Sequence, residues 1–242
     1  MPHRARWSLE LPSTAEIKSY CNEVLARILH KLKQGAQDNA TLYPYRLVLA
    51  HEDMHGEAFA YTLQTLGMTA PPQLVTHVAA FATQIDIDFA GGAMQLGSQQ
   101  SEAFVFDNEK WTHPVTVLPY SIASSLLTNA QYLAFILDGG YSNPQYWSEA
   151  GRLWLKQENR AAPRYWQFDG DGWSCVRFHT QLPLALQEPV RHVSLYEVQA
   201  YCKWAGRRLP TEAEWEFSAL SGKANFHWGE LWEWTSSTLN PG

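Results

Sequence analysis

Apolar residues in the first quarter of the chain recur at steps of three and four. Ile17, Tyr20, Val24, Ile28 and Leu32 share one face of a helix that Ser13-Thr14-Ala15-Glu16 opens as a capping box and that ends before Gly35. A second helix is predicted from about Thr41 to Leu66, with Gly67 as its C-terminal cap and Pro44 in its first turn or ahead of it. The two make an antiparallel helical hairpin. Ala70-Pro71-Pro72 stops the helical pattern, and the segment to Asp88 reads as a connector with one or two short extended stretches.

From Gly91 onward the pattern breaks into short pieces crowded with Trp, Tyr, Gly and Pro. Capping boxes recur at Thr128 with Gln131, Ser194 with Glu197 and Thr211 with Glu214. They predict three short helices, ending at Asp138-Gly139-Gly140, at Gly206 and near Ser221-Gly222. Val115 to Leu118 and Trp173 to Phe178 read as strands between long irregular loops. The fold class is therefore α+β, with a helical region at 1–70, a connector at 71–90 and a mixed region at 91–242.

Composition narrows the classes. The 242 residues are 45% hydrophobic, 13% aromatic and only 17% charged, which excludes intrinsic disorder. The net charge of −6 argues against a polyanion-binding surface, so nucleic acid is not an expected partner. No apolar run is long enough for a membrane span, and Met1 to Leu11 lacks a signal-type apolar run, so a cytoplasmic protein without a membrane partner is expected. Cys21, Cys175 and Cys202 form no CxxC pair, which leaves neither a disulfide framework nor a zinc ribbon.

The sharpest chemical signal is His51-Glu52-Asp53-Met54-His55. Imidazoles at i and i+4 stand on one helix face about 6 Å apart and can reach one metal ion. Leu47, His51, Met54, His55, Ala58 and Thr62 share a stripe, so the histidines are expected to point toward the core; they read either as metal ligands or as core or surface histidines satisfied by hydrogen bonds. Read as HExxH, the run would make Glu52 the base of a zinc protease. Against this, Ala58 and Tyr61 stand where the extended motif needs Gly and His, and no Glu follows Glu57 until Glu102. Glu57 turns away from the histidine face and reads as a solvated or paired carboxylate.

The run His51 to Glu57 resembles the HxxxHxE motif in the DinB-like helical domain of non-haem iron sulfoxide synthases, the ergothioneine-biosynthesis (EgtB-type) family. The second region resembles the formylglycine-generating-enzyme-like (C-type-lectin-like) domain that follows it there. The resemblance is carried by Gly91 to Gly97, Phe106 to Glu109, Thr128 to Phe135 with Asp138 to Tyr141, Ala162 to Trp166, Ala205 to Glu216, and Trp228-Gly229 with Leu231 to Thr235. It spans about residues 40 to 242, and the motifs are highly specific as a set.

The resemblance implies iron(II) held by three histidines, two of them His51 and His55. It implies O₂-dependent joining of sulfur, or in a sister group selenium, to the imidazole C2 of hercynine. The small-molecule partners would be hercynine, a thiol or selenosugar donor, and O₂. Met54 occupies a place where relatives often carry an amide beside the imidazole substrate. Where relatives that use γ-glutamylcysteine read Arg-Pro, this chain has Leu11-Pro12, with Arg4 and Arg6 upstream as candidates for the donor's carboxylates. That leans toward the relatives resembling selenoneine synthase.

Departures from the family pattern matter as well. The family's first iron histidine lies on an earlier helix, and only His3 and His30 precede His51 here. Family members also continue beyond Asn240-Pro241-Gly242 into segments bearing an active-site tyrosine, so the match reads as the middle of a longer protein, with the second region incomplete at its C-terminus. The competing class is a non-catalytic lectin-like ligand-binding or structural module. Arg207 to Trp215, the Trp228, Trp232 and Trp234 cluster and Cys202 read as packed scaffold, with an aromatic substrate cage as the other reading of the tryptophans. The copper-binding cysteine pair of true formylglycine-generating enzymes is not visible.

Overall fold

The computed structural model describes residues 9–35, 37–74, 84–100, 104–223 and 225–238. Helix α1 (Thr14–Gln34) starts at Ser13, whose side chain accepts from the Glu16 amide while Glu16 accepts from the Ser13 amide at 2.8 Å. Val24, Ile28 and Leu32 are half-buried at spacings of four, and no residue of α1 is fully buried. Asp38 caps α2 (Asn39–Thr65) by accepting from Thr41. This cap sets the start two residues before the predicted one, so Pro44 lies in the second turn rather than the first. Gly67 follows the C-terminal cap in the left-handed conformation at φ 62°, as the sequence predicted.

The second region is built from short antiparallel pairs and begins with a strand inside the expected connector, because residues 86–89 pair with residues 120–123. Strand β1 (Asp86–Phe89) pairs with β4 (Tyr120–Ala123), and β2 (Gly92–Leu96) pairs with β3 (His113–Val117). Between β1 and β2, Gly91 has φ 71° and packs so closely that a Cβ would stand 2.2 Å from the Val117 carbonyl oxygen. A third sheet has the order β5 (Trp166–Phe168), β6 (Trp173–Arg177), β7 (Thr180–Pro183).

Of the helices α3 (Asn129–Leu137), α4 (Glu149–Glu158), α5 (Leu195–Trp204) and α6 (Glu212–Leu220), α6 packs on β2 and β3, whereas α5 packs on α3 and α4. All three predicted capping boxes form, at the starts of α3, α5 and α6. The unpredicted helix, α4, is capped by Ser148 with Gly151 where a capping box would place an acid or amide. The main core packs Tyr132 and Phe135 of α3 against Ala200 of α5, with Tyr141 and Trp147 beside them. Within it Tyr141 donates to Glu197 at 2.6 Å. A smaller core joins Ile87, Phe89 and Phe226.

Polar contacts tie α2 to this body. Tyr43 donates to the Val105 carbonyl at 3.2 Å and accepts from Lys110 at 3.1 Å. At the other end Gln64, the one buried residue of α2, donates to the Val176 carbonyl at 3.2 Å and accepts from the Phe178 amide at 2.8 Å. Among the described residues no helix is long and apolar enough to cross a membrane.

Candidate functional site

His51 and His55 come together as their spacing requires. Their Nε2 atoms are 3.0 Å apart and the rings meet edge to face, with centroids at 4.6 Å. Two nitrogens bound side by side to an octahedral ion at about 2.1 Å stand about 3.0 Å apart, and on a tetrahedral ion about 3.4 Å. The observed separation matches an octahedral edge and equally an N–H···N hydrogen bond between the two rings. Among the described residues no third His, Cys, Asp or Glu joins them, and His30 on α1 does not.

The histidines do not face the core, in contrast to the expectation from the apolar stripe. His51, His55 and Thr62 are exposed, as are Leu47 and, at 54%, Met54. The reason is that α2 docks through its polar residues. With 100° per residue measured from Glu57, Tyr43, Tyr61 and Gln64 lie within about 40° of it, and His51 and His55 stand about 120° and 160° round. Glu52 and Asp53 are exposed as well. Arg4, Arg6 and His3 lie outside the described residues.

Glu57 is a paired carboxylate: it accepts from the indole N–H of Trp232. Together they border a cleft of about 980 Å³ lined, among the described residues, by six glutamates and by Trp215, Trp228 and Trp232, and by no Lys, Arg or His. Trp215 and Trp228 meet edge to face at 5.4 Å. Trp215 also donates to Glu233 Oε2 at 3.0 Å, whereas the buried Oε1 of Glu233 has no partner among the described residues. Burial pushes the carboxyls of Glu233 and Glu216 up from their ordinary value. Such a cleft offers a cation both π faces and carboxylates.

Trp228, Trp232 and Trp234 are therefore not core residues: they are 49%, 88% and 48% exposed. The packed reading does hold for Cys202, whose thiol burial pushes up. All three cysteines are free. Sequence reasoning passed over Glu233, although an acid between Trp232 and Trp234 in an otherwise apolar run was a visible signal.

Residues 73–241 match the family model of the sulfatase-modifying factor enzyme 1-like domain. The chain is 30% identical to a hercynine oxygenase of Mycolicibacterium smegmatis, over 98% of this chain and 65% of that protein. It is also 30% identical to a hercynine oxygenase of Mycobacterium tuberculosis, over 98% of this chain and 66% of that protein. A formylglycine-generating enzyme of Streptomyces coelicolor is 29% identical over 62% of this chain and 52% of its own length. The chain thus spans just under two thirds of the length of the hercynine oxygenases it matches.

Proposed function

The chain belongs to the family of sulfatase-modifying factor enzyme 1-like domains, and on that premise we propose that it serves iron(II)- and O₂-dependent formation of a C–S or C–Se bond at the imidazole C2 of hercynine. In this reading α1 and α2 are part of a DinB-like helical domain, and His51 and His55 are two of the iron ligands. The observation that carries the reading is the 3.0 Å separation of the two Nε2 atoms on a helix whose Glu57 borders the tryptophan and glutamate cleft. Similarity over 98% of this chain to about two thirds of the hercynine oxygenases supports the substrate.

Neutral imidazoles suit a divalent iron, which when bound supplies the redox chemistry with O₂. The protein's part is to hold and orient. Hercynine is a quaternary ammonium, and the cleft meets it with the indole faces of Trp215, Trp228 and Trp232 and with the orphaned Glu233 Oε1. Glu57 fixes Trp232 and adds its own negative charge. Met54, exposed beside the histidines, offers a thioether where an amide would hydrogen-bond the imidazole. The donor is proposed to be one without a carboxylate at the Leu11 position, such as a thio- or selenosugar.

Anaerobic reconstitution with iron(II), followed by exposure to O₂ with hercynine and each candidate donor, tests the reading. A C2 sulfoxide or selenoxide product is the expected result. Stoichiometric iron and bound hercynine without any product would favour the non-catalytic lectin-like module.

A further inference from the structure

A second cleft, of about 430 Å³, opens where the last turns of α2 meet the loop after α4 and the loop before α5. The two acids that line it among the described residues are already engaged. Arg160 holds Glu158 at 3.1 Å, and the oxygens of Glu197 accept from the Tyr141 hydroxyl and the Ser194 amide. Arg164 has no carboxylate partner among the described residues, and its guanidinium lies 5.2 Å from the ring of Tyr165. The imidazole of His192 and the hydroxyl of Tyr61 likewise have no hydrogen-bond partner among the described residues. Behind them Arg177 and Arg191 share the single carboxylate of Glu188, which leaves a further positive charge. In a chain of net charge −6 this is a local reversal of sign.

The backbone aims aromatic groups at the same place. Tyr165 and His192 have φ 76° and 60°, in the left-handed region that non-glycine residues rarely adopt. Their rings meet edge to face at 4.9 Å on the cleft wall. His192 is exposed on one side, yet enclosure of its ring in the cleft, and then repulsion from Arg191, Arg164 and Arg177, push its imidazole down to about 4. At neutral pH it offers hydrogen bonding without charge.

We propose that this cleft binds the carboxylate of a small organic acid, with Arg164 as its clamp, His192 and Tyr61 as neutral hydrogen-bonding groups, and Tyr165 with Trp154 as the wall for the apolar remainder. A planar guanidinium matches a planar monoanionic carboxylate through two parallel hydrogen bonds, and a phosphate dianion would call for more than one free cation. The volume suits a small molecule. Tyr61 and Thr65 lie about 9 and 15 Å along the helix from His55, so the site is separate from the proposed iron and goes beyond the proposed reaction. Its ligand touches α2 and the second region together and thereby fastens one to the other.

The test is calorimetric titration of the metal-free protein with benzoate, with succinate and with inorganic phosphate at matched ionic strength. Saturable one-to-one binding of at least one carboxylate is expected. Arg164→Gln should weaken it tenfold or more and Tyr61→Phe a few fold. His51→Ala should leave it unchanged, which keeps this inference independent of the iron reading. Arg164 is exposed, and far-UV circular dichroism checks that its variant folds. The idea is overturned if neither carboxylate gives saturable heat up to about 10 mM, if phosphate binds as tightly as they do, or if the folded Arg164→Gln protein binds them unchanged.

Discussion

Trp232 donates its indole N–H to the carboxylate of Glu57, so the helix that carries His51 and His55 is tied in its second half to the tryptophan-rich loop after α6. The contact joins the candidate metal helix to the candidate cation cleft, and it separates two roles of one acid. In Glu57→Gln the side-chain oxygen still accepts from Trp232 but the charge is gone. Hercynine affinity is expected to fall by about 1–2 kcal/mol, roughly fivefold to thirtyfold, with iron content unchanged. Equilibrium dialysis with hercynine beside metal analysis checks this; unchanged affinity would remove Glu57 from the site.

The histidine pair makes a sharper demand. Because His51 and His55 are exposed, replacing either by Ala leaves packing intact while halving the donors on this helix. Iron bound after anaerobic reconstitution and desalting is expected to drop at least tenfold, with the far-UV spectrum preserved. Equal iron in the wild type and both variants would show that the 3.0 Å pair is a hydrogen-bonded surface feature.

Helix starts were legible because a capping box is written within four residues, and each of the four that the sequence displays is formed. Helix α4 was missed because Gly151 fills the position where an acid or amide would complete the box. Most strands escaped notice because they are short and lack alternation; all four residues of β7 are exposed. The histidine pair was legible, but its direction was not. An apolar stripe suggests which face is buried only where docking is apolar, and α2 docks through Tyr43 and Gln64. Their partners Val105 and Val176 lie 62 and 112 residues away, beyond any local pattern.

Gln64 carries a stability prediction of its own. Gln64→Ala strips the Val176 carbonyl and the Phe178 amide of a partner at once, and leaving such groups unsatisfied typically costs about 1–3 kcal/mol. Urea unfolding should register the loss, and hydrogen exchange should speed up over the last turns of α2 while α3 and α5 stay protected. Uniform acceleration across the chain would mean that the contact supports the whole fold rather than the docking of α2.

Acid sensitivity follows from Glu214. Arg208 grips its carboxylate at 2.7 and 2.6 Å, the Thr211 amide adds a bond at 2.8 Å, and the guanidinium foremost holds this carboxyl below its ordinary value. Asp86 is lowered in the same way by Arg207. A lowered carboxyl binds its proton less readily folded than unfolded, so its stabilisation is present above the ordinary carboxylate range and is lost as pH falls through the folded value. Glu233 and Glu216, raised by burial, act in the opposite sense and gain stability on protonation. In Arg208→Met the loss at pH 7 should be about 1 kcal/mol or less, since the guanidinium is largely exposed. The fall in urea midpoint between about pH 5 and 3 should flatten. An unaltered acid slope would assign the sensitivity to other carboxylates.

The donor prediction turns on Leu11, which is 77% exposed two residues before the cap of α1. The resemblance to the ergothioneine family implies an arginine here in relatives that use γ-glutamylcysteine, and an apolar side chain cannot clamp a carboxylate. A missing bidentate contact of this kind typically costs about 1.5–3 kcal/mol, or roughly tenfold to a hundredfold in affinity. In direct competition between γ-glutamylcysteine and 1-selenoglucose the protein should therefore choose the sugar, and Leu11→Arg should shift the choice toward γ-glutamylcysteine by about tenfold or more. Because Leu11 is exposed, the new guanidinium displaces no packing and the fold is expected to be unaffected. A clear preference for γ-glutamylcysteine in the unmodified protein would instead point to Arg4 or Arg6 as the groups that hold its carboxylates. Arg4→Gln and Arg6→Gln would then abolish that preference one residue at a time.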